Sequence, residues 1–128
     1  MALLCCLLAI PSMGFAKVYY GALAIDDTRG ITGGVINKNT SEQAEKGALQ
    51  DCKKEGGKKC EIAVTFYDSC AALAWSKQTK VAKRGWAESS LQGAENEALN
   101  RCNAASKIKD CKIMINACTS WDYYYYDY

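Results

Sequence analysis

The chain predicts an α+β fold: two tandem β-β-α-β repeats forming antiparallel sheet with two packed helices, related by a pseudo-twofold and bridged by disulfides. Three observations predict it. The sequence says nearly the same thing twice, as YGALAI at 20–25 and CAALAW at 70–75, fifty residues apart. Six cysteines follow an apolar leader, the even count of a disulfide framework. Within each half, apolar positions pass from strand-like runs to helical spacing and then to period-two alternation.

The leader comes first. Residues 1–16, MALLCCLLAIPSMGFA, carry no charged side chain, and the chain turns polar at Lys17. Ala2 to Ile10 has the length of a signal-peptide apolar region, Pro11 breaks its helix, and Gly14-Phe15-Ala16 is a small-x-small cleavage site. The run is shorter than the roughly 20 apolar residues a membrane-spanning helix needs. The expectation is a signal peptide cleaved after Ala16 and a periplasmic or secreted product without a transmembrane segment. The leader lacks Lys and Arg, and nothing hydrophobic precedes Cys5 and Cys6 to mark a lipid-attachment cysteine. The mature chain, 17–128, then has the length of one domain, built of repeats at about 17–69 and 70–122 with an aromatic tail at 121–128.

A shift of fifty sets Ala22, Leu23 and Ala24 on Ala72, Leu73 and Ala74, Thr40 on Ser90, Ala44 on Ala94, and Cys52 on Cys102. One inserted residue later, Cys60 falls on Cys111, Ile62 on Ile113 and Val64 on Ile115. Two cysteines, a helix face and a strand in the same order are an internal duplication, with one supersecondary unit per copy. YYGALAI and AALAW read as strands, and GITGGVIN and KVAKRGWAE as their hairpin partners. A helix follows in each copy, opened by the capping boxes Thr40-x-x-Gln43 and Ser89-x-x-Gln92. Ala44, Ala48, Leu49 and Cys52 form one apolar face, repeated by Ala94, Ala98, Leu99 and Cys102; such small residues let a helix lie close on its sheet. The helices end near Gly56-Gly57 and Lys107, and CEIAVTFYD and CKIMINAC close the units as strands. One half cannot cover its own hydrophobic face, and the second copy provides the cover.

Symmetry also orders the cysteines. Cys52 to Cys60 and Cys102 to Cys111 are equivalent spans, each from a helix end to the next strand, so they are expected to pair locally. Cys70 and Cys118 remain and would tie the two closing strands together. A metal site is the poorer reading, because the cysteine gaps are wide and the chain contains no histidine. No metal or cofactor is expected.

The net charge of +2 is too small to indicate nucleic acid or an anionic membrane as partner. Lys53, Lys54, Lys58 and Lys59, and then Lys107, Lys109 and Lys112, bunch where helix C-termini and the following loops suit cations. Without histidine there is no Ser/His/Asp or Cys/His constellation. Asp26-Asp27 is an adjacent acidic pair, but DDTRG reads as a hairpin turn. Gly30, Gly33 and Gly34 form no phosphate loop, and there is no C-x-x-C redox pair. No catalytic residue is nominated. The suggestive stretch is SWDYYYYDY at 120–128, where Trp121, Tyr123, Tyr124, Tyr125, Tyr126 and Tyr128 are candidate partner contacts. The bland alternative is a terminus whose rings pack on the domain.

Taken together, Tyr20 to Ala24, Ala44 to Cys52, Cys60 to Val64 and Cys70 to Ala74, then Ala94 to Cys102 and Cys111 to Cys118, resemble the bacterial domain-of-unknown-function family 4189. The resemblance implies an exported, cysteine-bridged bacterial domain without an established catalytic activity, and it supplies no site. KVAKRGW has charges where relatives carry glycines and aromatics, and WDYYYYDY is a second departure. The functional expectation is a non-enzymatic protein-binding module, in one form an inhibitor or immunity-type partner of an exported toxin. A small carboxylate-dependent cell-envelope hydrolase and a structural or adhesive surface protein are the alternatives.

Overall fold

The computed structural model describes residues 18–119. The expected leader with its cleavage site and the aromatic tail, Trp121 to Tyr128, lie outside the described residues.

The order β-β-α-β occurs twice: β1 (Tyr20–Asp26), β2 (Ile31–Lys38), α1 (Ser41–Lys54), β3 (Glu61–Tyr67), then β4 (Ser69–Trp75), β5 (Ala82–Ala87), α2 (Leu91–Ser106) and β6 (Lys112–Thr119). Each half is a three-stranded antiparallel sheet with its first strand in the middle, β2-β1-β3 and β5-β4-β6. Asp68 alone, at φ 46°, hands the chain from one sheet to the other.

Period-two alternation decides the layering. In β1, Ala22 and Ala24 pack with Ala44, Ala48 and Cys52 of α1, while Leu23 and Ile25 turn to the other side. In β4, Ala72 and Ala74 meet Ala94, Ala98 and Cys102 of α2, and Ala71, Leu73 and Trp75 turn to meet Leu23 and Ile25. The result is four layers, helix-sheet-sheet-helix, with the large side chains between the sheets and the alanines under the helices. That explains why both central strands are buried on both faces, as few antiparallel strands are. Each sheet is the cover of the other.

Thr40 caps α1 through a 3.1 Å bond from the Gln43 N–H. The second cap corrects the sequence expectation: it is Ser90, accepting from the Gly93 N–H at 2.9 Å, and not Ser89. The shift of fifty had already set Thr40 on Ser90; a matching Ser-x-x-Gln spacing one residue earlier was the weaker guide, because a cap is chosen by where the helical turn begins. After its C-cap Glu55, α1 is turned off by Gly56 at φ +107°, with the Gly57 N–H returning to the Cys52 carbonyl; α2 is capped by Lys107 at φ 65°.

The three disulfides pair as symmetry indicates: Cys52–Cys60, Cys102–Cys111 and Cys70–Cys118. Polar bonds also cross between the halves. The Trp75 indole donates to the Asp27 carbonyl at 2.6 Å, and the Thr119 hydroxyl lies 3.2 Å from the Tyr19 carbonyl and 3.1 Å from Asn37 Oδ1.

Asp26-Asp27 does open the hairpin turn, and Asp26 does more. Its carboxylate is fully buried and accepts from the N–H groups of Thr28, Arg29, Lys58 and Lys59 and from the Arg29 guanidinium at 3.0 Å. The Lys58 N–H, above all, holds this carboxyl well below the usual carboxylate range; burial opposes the shift, and Lys59 and Arg29 reinforce it. The same knot exists in the second half with other chemistry. There Ser76, fifty positions on, donates to Asp110 at 2.7 Å and accepts from the Thr79 N–H. The unfolded chain takes up a proton at Asp26 near pH 4 while the folded one resists it. Stability contributed by Asp26 is therefore complete above about pH 4 and is lost as pH falls further towards the folded value. Melting curves from pH 7 to pH 2.5 should show the wild type losing stability at the acid end; Asp26→Asn should be less stable at pH 7 and less sensitive to acid. Parallel pH profiles for the two proteins would refute this role.

Candidate functional site: a cleft between two edge strands

The two long sides of the sandwich differ. On one, β2 closes on β6, and Gly34 makes room for it: a Cβ there would stand 2.9 Å from Ile115 Cδ1. On the other, the residue opposite Leu73 is Arg84, as Gly34 is opposite Leu23. Arg84 is exposed and extends from β5 to the Ala63 carbonyl of β3 at 3.4 Å. A long side chain stands where the first half has none, and among the described residues this side stays open.

The opening is a cleft of about 370 Å³ lined by Val64, Thr65, Phe66 and Tyr67 of β3, Arg84 and Trp86 of β5, and Glu97 and Arg101 of α2. Beyond Arg84 it continues into a second hollow of about 270 Å³ bordered by Asp27, Glu61 and Lys83. Arg84 is the partition. Tyr67 and Trp86, which both line the cleft, are 59% and 46% exposed, unusual for rings of that size.

These side chains are held, not merely present. The Trp86 indole donates to Ser69 Oγ at 2.6 Å, and the Tyr67 ring stacks at a tilt on Tyr20 with centroids 5.8 Å apart. Glu97 accepts from the Trp86 backbone N–H at 3.3 Å and pairs with Arg101 at 2.7 Å, so it closes the β5 edge and steers the guanidinium. Asp51 closes the β2 edge by accepting from the Gly34 N–H at 2.9 Å. The outer edge of β3 has no neighbouring strand among the described residues.

Chemically, the cleft offers two aromatic faces, two guanidinium groups and an open strand edge. Its acids do not converge: Glu97 is engaged by Arg101, and Asp27 and Glu61 stand on the far side of Arg84. Among the described residues no three His, Cys, Asp or Glu side chains cluster as a metal site would require. No helix in them is long and apolar enough to cross a membrane. Sequence reasoning nominated the tail and missed this cleft. The one signal pointing to it was the charge in KVAKRGW, which supplies Arg84 and Trp86.

Fold and sulfur clamps define a disulfide-bridged α+β domain suited to an oxidising compartment. The chain belongs to the family described as Domain of unknown function (DUF4189), whose model matches residues 20–118. It is similar to the NMR structure of Rv1813c from Mycobacterium tuberculosis, at 26% identity and a TM-score of 0.53, over 78% of this chain and 74% of that one. No curated protein matches it.

Proposed function

We propose that the protein is an exported, disulfide-stabilised, non-enzymatic module that binds another protein, and that the β3–β5 cleft is its contact surface. The observation that carries this reading is the exposure of Trp86 and Tyr67 beside Arg84 and Arg101. Tryptophan, tyrosine and arginine dominate binding energy at protein interfaces because they bring large area and directed polar groups at modest entropy cost. The apolar leader supports export, and the three bridges make a rigid scaffold that loses little freedom on binding. An inhibitor or immunity-type partner of an exported toxin is one form of this reading, and the tail aromatics Trp121, Tyr123, Tyr124, Tyr125, Tyr126 and Tyr128 remain candidate contacts by their chemistry alone.

The test is capture of a partner from envelope extract or culture fluid, followed by affinity measurement with that partner purified. Trp86→Ala and Tyr67→Ala should each weaken binding by about 30-fold, on the order of 2 kcal/mol. Lys46→Ala, on the exposed side of α1, should leave affinity unchanged. Equal affinity of all three variants and the wild type would remove the cleft from the function.

A further inference from the structure

We propose that the end of the sandwich made by its four turns at 27–30, 55–60, 76–81 and 107–111 docks on an anionic lipid bilayer. This is a second surface, distinct from the β3–β5 cleft.

The alternation of strand and helix directions brings all four turns to one end, and polar bonds fasten them to each other. Asp26 accepts from the Lys58 and Lys59 N–H groups, the Asp27 carbonyl accepts from the Trp75 indole, and Ser76 donates to Asp110. Lys80 reaches over the Trp75 ring, its Nζ 5.2 Å from the centroid. The ends of the described chain meet at the other end, where the Thr119 hydroxyl lies 3.2 Å from the Tyr19 carbonyl.

Charge divides along the same axis. Lys58, Lys59, Lys77, Lys80, Lys107 and Lys109 are exposed on the turns. The exposed acids of this end, Asp27, Glu55 and Glu61, are matched by Lys53, Lys54 and Lys112 at the adjoining element ends, so the turn lysines are in excess. The links at the opposite end, 39–40, 68 and 88–90, contain Asp68 and Glu88 and no lysine or arginine. A net charge of +2 conceals this face, because topology gathers it from both halves of the sequence.

The kind of cation favours a headgroup layer. Lysines are compact point charges on flexible stems, suited to a diffuse field of lipid phosphates. The turns' one arginine, Arg29, is tied to Asp26 at 3.0 Å, so no guanidinium fork is free there for a single carboxylate or phosphate. Ile108 is 47% exposed between Lys107 and Lys109, and an apolar side chain flanked by cations is the composition of a membrane-surface anchor. Exposed aromatic rings, on which the bases of a single strand would stack, lie towards the opposite end: Tyr67 closes β3 and Trp86 nears the end of β5. A docked domain therefore holds them away from the bilayer.

The test is co-sedimentation of the oxidised protein, as the exporting cell yields it, with vesicles of phosphatidylglycerol and phosphatidylcholine in equal parts. Binding should be lost with phosphatidylcholine alone, and also at about 1 M salt, where the Debye length falls to about 3 Å. Lys58→Gln with Lys59→Gln should weaken binding about 20-fold, near fivefold for each lysine. Both residues serve the Asp26 knot through backbone N–H groups, which glutamine keeps, so the fold is spared. Ile108→Ser should weaken binding about fivefold. Lys38→Gln with Lys46→Gln removes the same charge elsewhere and should change nothing. Equal losses from the two lysine pairs overturn the proposal, as does equal binding to neutral vesicles. A short DNA duplex bound as tightly as the vesicles also overturns it, since the face would then be a general polyanion surface. Trp86→Ala should leave vesicle binding intact, so this proposal and the cleft fail separately.

Discussion

Replacing Cys70 and Cys118 together by alanine is expected to cost about 4 kcal/mol, the largest loss among the three bridges. Their sequence separation is 48, against 8 for Cys52–Cys60 and 9 for Cys102–Cys111. Closing a longer loop removes more freedom from the unfolded chain, and the short loops are worth about 2.5 kcal/mol each on the same account. The structure adds a native-state reason for the ranking. Cys70 and Cys118 face each other across β4 and β6, next to the Asp68 link where the chain leaves the first sheet. The local bridges only fasten each helix end to the strand that follows it. Guanidinium unfolding of the three double-alanine variants, each as an oxidised protein, measures the order. A Cys52–Cys60 loss equal to that of Cys70–Cys118 would show that loop entropy does not set it.

Most of the fold was legible because its elements are locally overdetermined. β1 and β4 announce themselves as short apolar runs, and the structure puts small and large side chains in alternation on their two faces, Ala22-Leu23-Ala24-Ile25 and Ala72-Leu73-Ala74-Trp75. The division of labour on each strand, alanine to the helix and leucine to the opposite sheet, follows from that alternation. The Asp26 knot could not be read in advance. Lys58 and Lys59 contribute their backbone N–H groups to it, which every residue but proline owns, so no residue type marks the partners.

The cleft was hidden for a different reason. Tyr67 ends β3, Trp86 lies in β5 and Arg101 in α2, and what unites them is the way the two sheets stack. Duplication concealed it further, because symmetry directs attention to matching positions while the cleft arises where they differ. Gly34 and Arg84 are structurally matched: Gly34 lets β2 lie against β6, whereas Arg84 stands in the hollow that the described residues leave between β5 and β3.

The glycines under the helices are where the largest single-residue effects fall. Gly85→Ala is expected to destabilise the domain by about 3 kcal/mol or more, because the new Cβ would be driven into the α2 backbone at Ala94 and Ala98. Backbone held by helical hydrogen bonds has nowhere to go; either α2 lifts from β5 or the strand bends. Gly33→Ala meets the same obstacle on α1, with its Cβ 2.6 Å from the Ala48 carbonyl oxygen and 2.7 Å from Cys52 Cα. Gly34→Ala is the informative contrast. Its obstacles are the ends of two side chains, Leu23 Cδ2 at 2.8 Å and Ile115 Cδ1 at 2.9 Å, which yield by changing rotamer, so its cost should stay near 1 kcal/mol. Urea unfolding of the three variants separates the cases, and equal losses at Gly34 and Gly85 would mean that closeness to the helix backbone is not what these positions require. Gly85→Ala should also weaken partner binding beyond what lost stability explains, because α2 carries Glu97 and Arg101 to the cleft and lifting it withdraws both.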